Sequence, residues 1–236
     1  MFSRGTGNFP PLLPFWDRIR DRGNDMATQD GESGKVNEGL RHGPPGGRAV
    51  HLCIDMQRLF DKGSDWAVDW MREVLPNVIH LVELDPARTI FTRFITPESL
   101  DDAPGAWRRY YEKWPQMLRR NLDPDMLRLL PELEIHLPRA RVFDKPVYSP
   151  WMDGRLHGML QQDRIDTIIM TGGETDVCLL AAVIGAVDLG YRVIVVSDAV
   201  CSSTDDTYDA AMEMYAKRFG QQIEMVDTDS LIAAMA

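Results

Sequence analysis

Apolar positions along the chain fall into short continuous blocks separated by longer stretches of helical spacing. Ala49-Val-His-Leu-Cys-Ile-Asp55 is the first such block and reads as a strand ending at a carboxylate. Trp66 to Leu84 follows with Val68, Met71, Leu75, Val78 and Val82 at threes and fours, which predicts a helix. Pro76 inside it predicts a kink or break. Arg88 to Ile95 is a second strand and Arg141 to Lys145 a third, ended by Pro146. Between them, an aromatic-rich insertion at about 98–135 reads as mostly helical, with a short helix over Asp123 to Pro131. Trp151 to Gln162 is the next predicted helix. Asp166 to Thr171 is a buried fourth strand broken by Gly172-Gly173, with a nearly all-apolar helix over Asp176 to Leu189. Tyr191 to Asp198 and Gln222 to Val226 are strands five and six, with helices over Asp205 to Arg218 and Thr228 to Ala236.

Strands that alternate with helices imply right-handed crossovers and a parallel sheet covered on both faces. The expected fold is a three-layer α/β/α sandwich, Rossmann-like, with six parallel strands in the order 3-2-1-4-5-6. Ligands in such sheets bind at strand carboxyl ends near the switch point. Asp55 ends strand one, Lys145 ends strand three and Cys178 follows strand four, so these distant residues can share one rim.

Composition narrows the function classes. The 236 residues suit one α/β domain with an appendage. Residues 1–47, rich in Gly, Pro, Arg and Asp, read as a flexible N-terminal arm ahead of a domain over 48–236. The apolar patch Phe9 to Trp16 in that arm could dock on the body or on a second subunit. A formal net charge of −10 argues against nucleic-acid or anionic-membrane partners. Three cysteines with no CxxC spacing are intracellular thiol usage rather than a disulfide framework. No apolar run is long enough to span a bilayer and no signal peptide is evident, so a cytoplasmic protein is expected.

The chemistry centres on Gly172-Gly-Glu-Thr-Asp-Val-Cys178. With Thr175 or Asp176 as N-cap, Cys178 takes about the second helical position, where the helix dipole favours thiolate. Asp55 directly follows an apolar strand and Lys145 lies between Phe143 and Pro146, so each needs a partner, most simply the other. Cys53 and Cys201 read as structural, and His51 as a packed mid-strand residue. Phosphate-loop, dinucleotide, serine-hydrolase and zinc-protease motifs are missing, and the five histidines show no metal spacing. Without a well-placed histidine, the base for Cys178 is a carboxylate, which matches Asp55.

These residues resemble the isochorismatase-like cysteine hydrolases, which include nicotinamidases, N-carbamoylsarcosine amidases and ureido amidohydrolases. The matching pieces are Ile54-Asp-Met-Gln57 with Phe60, Phe143-Asp-Lys-Pro146, Gly172 to Cys178, and Gly190 to Ala199. The resemblance spans about 48–226. It implies an Asp55–Lys145–Cys178 triad acting on a small amide or ureido substrate through an acyl-enzyme, with no cofactor. It implies an oxyanion hole from the N–H groups of Cys178 and Glu174, with Gly173–Glu174 as a non-proline cis peptide, and a homo-oligomer. Two departures stand out. The Asp-x-His metal cluster of nicotinamidases has no counterpart, His80 being the only histidine between the first two strands, which argues against a metal. Glu174 replaces a residue that is often small, and its carboxylate either contacts a cationic or NH-rich substrate group or faces away. Phe60, Arg93, Trp151 and Glu174 are the candidate substrate-binding residues, with Trp107, Tyr110, Tyr111 and Trp114 divided between pocket and packing. The alternatives are an ether or ester hydrolase using Asp55 without covalent chemistry, and a ligand-binding protein on the same scaffold.

Overall fold

The computed structural model describes residues 39–235. The Phe9 to Trp16 patch and the arm as far as residue 38 lie outside these. Residues 39–47 are tied to the body: Arg192 Nη2 donates to the Gly43 carbonyl at 2.6 Å, and the His42 N–H donates to Glu224 at 3.1 Å.

Six strands form one sheet: β1 (Ala49–Ile54), β2 (Thr89–Phe94), β3 (Arg141–Lys145), β4 (Thr167–Gly173), β5 (Arg192–Cys201) and β6 (Ile223–Val226). Their order is β3-β2-β1-β4-β5-β6 and every pairing is parallel, as the block pattern implies. Every residue of β1 and β4 is buried, which is why these strands read as continuous apolar runs rather than alternating ones. Helices α1 (Met71–Leu84), α2 (Ala106–Lys113), α3 (Pro131–Glu134), α4 (Arg155–Gln162), α5 (Cys178–Asp188), α6 (Asp205–Arg218) and α7 (Thr228–Met235) complete the described residues. Met71, Leu75, Val78 and Val82 of α1 enter the main core, which confirms the face that its spacing predicts.

Besides β5, which runs on to Cys201 rather than ending at Asp198, the structure departs from the expected boundaries in four places. First, α1 starts at Met71, not Trp66, and runs unbroken through Pro76. That proline lies on the exposed face, where water can satisfy the carbonyl it leaves unpaired. Second, the insertion is less helical than expected. Apart from α2 and the single turn of α3 it is built from 3-10 turns at Leu100–Asp102, Pro115–Met117, Arg119–Asn121 and Pro124–Leu127. Its prolines and the tight Asp and Ser caps favour turns over propagation. Third, α4 begins at Arg155, after a turn that includes Trp151.

Fourth, and most relevant to the site, β4 does not stop at the glycines but ends with them. Gly172 has φ of 94°, and a Cβ there would sit 2.1 Å from the Ile54 carbonyl oxygen of β1. Glycine is required because two backbones meet closely, not because the strand breaks. Val177 is then the N-cap and Cys178 the first helical residue of α5.

Candidate active site

The carboxyl ends of β1, β3 and β4 converge, as a switch point between β1 and β4 requires. Asp55 follows β1 with φ of 50°. Its Oδ2 accepts from Lys145 Nζ, the last residue of β3, at 2.6 Å, and both side chains are 2% exposed. Thr92 of β2 fixes the other oxygen, Oγ1 donating to Asp55 Oδ1 at 2.6 Å. Lys145 also donates to the Val147 carbonyl at 3.2 Å and lies 5.2 Å from the centre of the Phe94 ring. The Cys178 thiol lies close enough to Asp55 and Lys145 for both to act on its titration.

The electrostatics correct one expectation. Burial pushes the Cys178 thiol well above its ordinary value; the Asp55 carboxylate adds to this, and Lys145 only partly opposes it. The resting sulfur is therefore a thiol, not the thiolate that a helix N-terminus alone suggests. Burial lowers the Lys145 pKa, but the adjacent Asp55 carboxylate opposes this and the net shift is upward, so the ammonium persists.

A cavity of about 270 Å³ opens above Cys178, small for a ligand pocket. Glu174 lines it beside the thiol, and its carboxylate accepts from Ser203 Oγ. The Gly173–Glu174 peptide is cis. Among the described residues, neither the Glu174 N–H nor the Cys178 N–H donates to a protein acceptor. A family model for the isochorismatase domain matches residues 49–227.

The chain belongs to the isochorismatase family of hydrolases.

Its sequence is 28% identical over 168 residues to a probable inactive nicotinamidase of Arabidopsis thaliana, spanning 67% of this chain and 83% of that one. The fold matches a cysteine hydrolase of Pseudomonas syringae pv. phaseolicola with a TM-score of 0.65 at 23% identity, over 80% of this chain and 92% of that one. It also matches an N-carbamoylsarcosine amidase of Thermoplasma acidophilum, with a TM-score of 0.62 at 18% identity, over 77% and 96% of the two chains.

Within this isochorismatase-family site, the remaining candidates separate. Phe60 and Tyr110 line the cavity. Trp107, Tyr111 and Trp114 instead pack the insertion onto the body, in a cluster with Leu59, Phe94 and Met117. Arg93 is not a lining residue. Its neighbours Thr92 and Phe94 face the site, so strand alternation turns it to the other face, where Asp144 holds it through two bonds of 2.7 and 2.8 Å. Trp151 is also outside the cavity: its Nε1 donates to the Ala182 carbonyl at 2.8 Å and its ring stacks on Tyr191. Cys53 and Cys201 are buried. His80 is exposed on α1, and among the described residues no group of three potential ligands is placed to hold a metal.

Trp66 and Tyr148 are wall residues that the sequence reading missed. Trp66 falls within the stretch whose spacing predicts a helix, and Tyr148 stands in a loop with no periodic signal. Gln57 is a further residue that shapes the site. Its side chain accepts from the Phe94 N–H at 2.6 Å and donates to the Leu127 carbonyl at 2.9 Å, clamping β1, β2 and the insertion together. A glutamine two residues past the end of an apolar strand block is the sequence signal, and its full burial shows why it must be hydrogen-bonded.

Proposed function

We propose that this isochorismatase-family protein is a cysteine hydrolase that cleaves a small amide or ureido substrate through a thioester. The carrying observation is the buried Asp55–Lys145 pair, close enough to the Cys178 thiol to act on its titration, with that thiol lining a cavity. Asp55 removes the thiol proton as Sγ attacks the substrate carbonyl carbon. The resulting oxyanion takes the free N–H groups of Cys178 and Glu174. The tetrahedral adduct collapses, Asp55 returns the proton to the departing nitrogen, and the C–N bond breaks to leave a thioester on Cys178. Water then gives its proton to Asp55 and attacks the thioester, and the proton returns to Sγ as the acid leaves. Lys145 holds the Asp55 carboxylate in position through its 2.6 Å bond. A raised thiol pKa fits this sequence, because the proton moves only when a substrate is present.

The test is an ammonia-release screen over carboxamide, carbamoyl and ureido compounds, repeated with Cys178→Ala. Activity should fall by about a thousandfold or more in the variant. Mass spectrometry of quenched enzyme should find an acyl adduct on Cys178. Turnover that survives the substitution, or an adduct elsewhere, would replace this reading with non-covalent hydrolysis by Asp55.

A further inference from the structure

The cavity above Cys178 has an unmatched negative charge. Its lining includes Glu174 and Asp65 but no lysine or arginine. The nearby cation, Lys145, is already paired with Asp55 at 2.6 Å. Glu174 is half-buried beside the thiol. Ser203 binds its Oε1, while Oε2 has no protein partner among the described residues. Asp65 stands exposed at the mouth, positioned by Gln116 Nε2 at 2.6 Å.

Between these carboxylates the walls are aromatic. Phe60 stacks on Trp66 with ring centres 6.3 Å apart, Phe94 stacks on Tyr148 at 6.3 Å, and Tyr110 meets Trp66 at 5.7 Å. All five rings line the cavity. Ring faces attract cations, most strongly where water is excluded. Aromatic walls with carboxylates at depth and mouth are therefore complementary to a positive charge. The reaction geometry adds a second reason. Glu174 supplies an amide to the developing oxyanion in the mechanism above, so its own carboxylate stands near growing negative charge. A substrate cation bound to that carboxylate removes this penalty in the transition state.

We propose, building on the amide-hydrolase reading above, that the enzyme selects substrates whose non-reacting end is cationic: a small carboxamide or urea bearing an ammonium group. The carbonyl faces Cys178, the ammonium lies against Glu174 and the rings, and Asp65 draws the cation in. Anionic amides are repelled.

Three amides of similar size test this: betaine amide, its neutral isostere tert-butylacetamide, and the anionic monoamide of malonic acid. Ammonia release is measured on the wild type, Glu174→Gln and Asp65→Asn. Binding is measured by calorimetry on Cys178→Ala. The glutamine keeps the acceptor for Ser203, and Asp65 is exposed enough for its variant to fold. The expected result is that kcat/KM for betaine amide exceeds that for the isostere by about tenfold or more, partly in kcat, with the anion lowest. That ratio should approach unity in Glu174→Gln, fall less in Asp65→Asn, and shrink as salt rises. A fold defect lowers both substrates together and leaves the ratio alone. Equal or reversed preference in the wild type, or a ratio unmoved in both variants, overturns charge selection and leaves the hydrolase reading standing. If no amide is turned over, tighter binding of betaine amide than of the isostere supports charge selection and sinks the hydrolase reading. No preference in that case, or no binding of either, overturns both.

Discussion

The Asp55–Lys145 pair concentrates opposite charges where water is excluded, and the two residues depend on each other for their stability as well as their chemistry. Removing one partner from such a pair leaves a buried charge uncompensated and typically costs about 3–5 kcal/mol. Lys145→Met should therefore destabilise the fold by about that amount and abolish turnover. Asp55→Asn should do the same through the stranded ammonium. The double variant Asp55→Asn with Lys145→Met has no charge to strand, and Thr92 can still donate to the asparagine oxygen. It should be more stable than either single variant while remaining inactive. Urea unfolding of the four proteins gives the cycle; a double variant as unstable as the sum of the singles would mean that the pair is not what couples them. A second expectation concerns the nucleophile. Because burial and Asp55 hold the Cys178 pKa well above 9.0, ultraviolet thiolate absorbance attributable to Cys178 should be lacking at neutral pH. The spectrum of the wild type minus that of Cys178→Ala measures it directly. A thiolate signal at pH 7 would return the site to helix-dipole activation.

At the scale of the elements, Gly172 is the position on which the meeting of β4 and β1 turns. Alanine there is strained by its φ of 94° and meets the Ile54 carbonyl at 2.1 Å. Gly172→Ala should cost roughly 2–5 kcal/mol, the sum of the left-handed penalty and overpacking against backbone. Gly190 is the control: its φ is 84°, but a Cβ there meets nothing within 4 Å. Gly190→Ala should cost only about 1–2 kcal/mol. Equal losses in denaturant midpoint would show that crowding against Ile54 is not the cause. The same position explains which features the sequence made legible. The strands, and Asp55, Lys145 and Cys178 at their carboxyl ends, follow from blocks of apolar residues ending in polar ones, a pattern that buried parallel strands force on the chain; the strand order follows from the doubly wound architecture. Gly172-Gly173 looked like a break because local propensity says nothing about a neighbouring strand's backbone. The sides taken by Arg93 and Trp151 were equally hidden. Arg93 requires the strand's phase relative to the site, and Trp151 requires the gap over Gly185, whose added Cβ would lie 2.2 Å from the indole. Non-local contacts of this kind set both outcomes, and no window of sequence contains them.

Across the whole molecule, stability in acid should hinge on His51 at the centre of the sheet. Its ring lies on β1 and bonds Thr89 of β2 at 3.3 Å and Thr171 of β4 at 2.8 Å, joining three strands through one side chain. Burial lowers its pKa to about 4 from an ordinary 6.5. The unfolded chain therefore gains a proton between pH 6.5 and about 4 that the folded chain refuses, so stability is present above that window and declines as pH falls through it. The slope from this one group is about 1.4 kcal/mol per pH unit, for a total of about 3 kcal/mol. Glu174 acts in the opposite direction. Burial raises its carboxyl pKa, so the folded state binds that proton more readily and gains relative stability on acidification. The two effects separate by substitution, because Glu174 is unchanged in His51→Gln. That variant should lose some stability at neutral pH, since glutamine cannot reach both threonines with the same geometry. Its unfolding free energy should nevertheless decline less steeply than the wild type's from pH 6.5 to 4. Urea titrations at half-unit steps, with the fitted free energies differenced between the two proteins, give that slope. Parallel curves would locate the acid sensitivity elsewhere, and a steeper variant would mean that the folded state protonates His51 readily despite its burial.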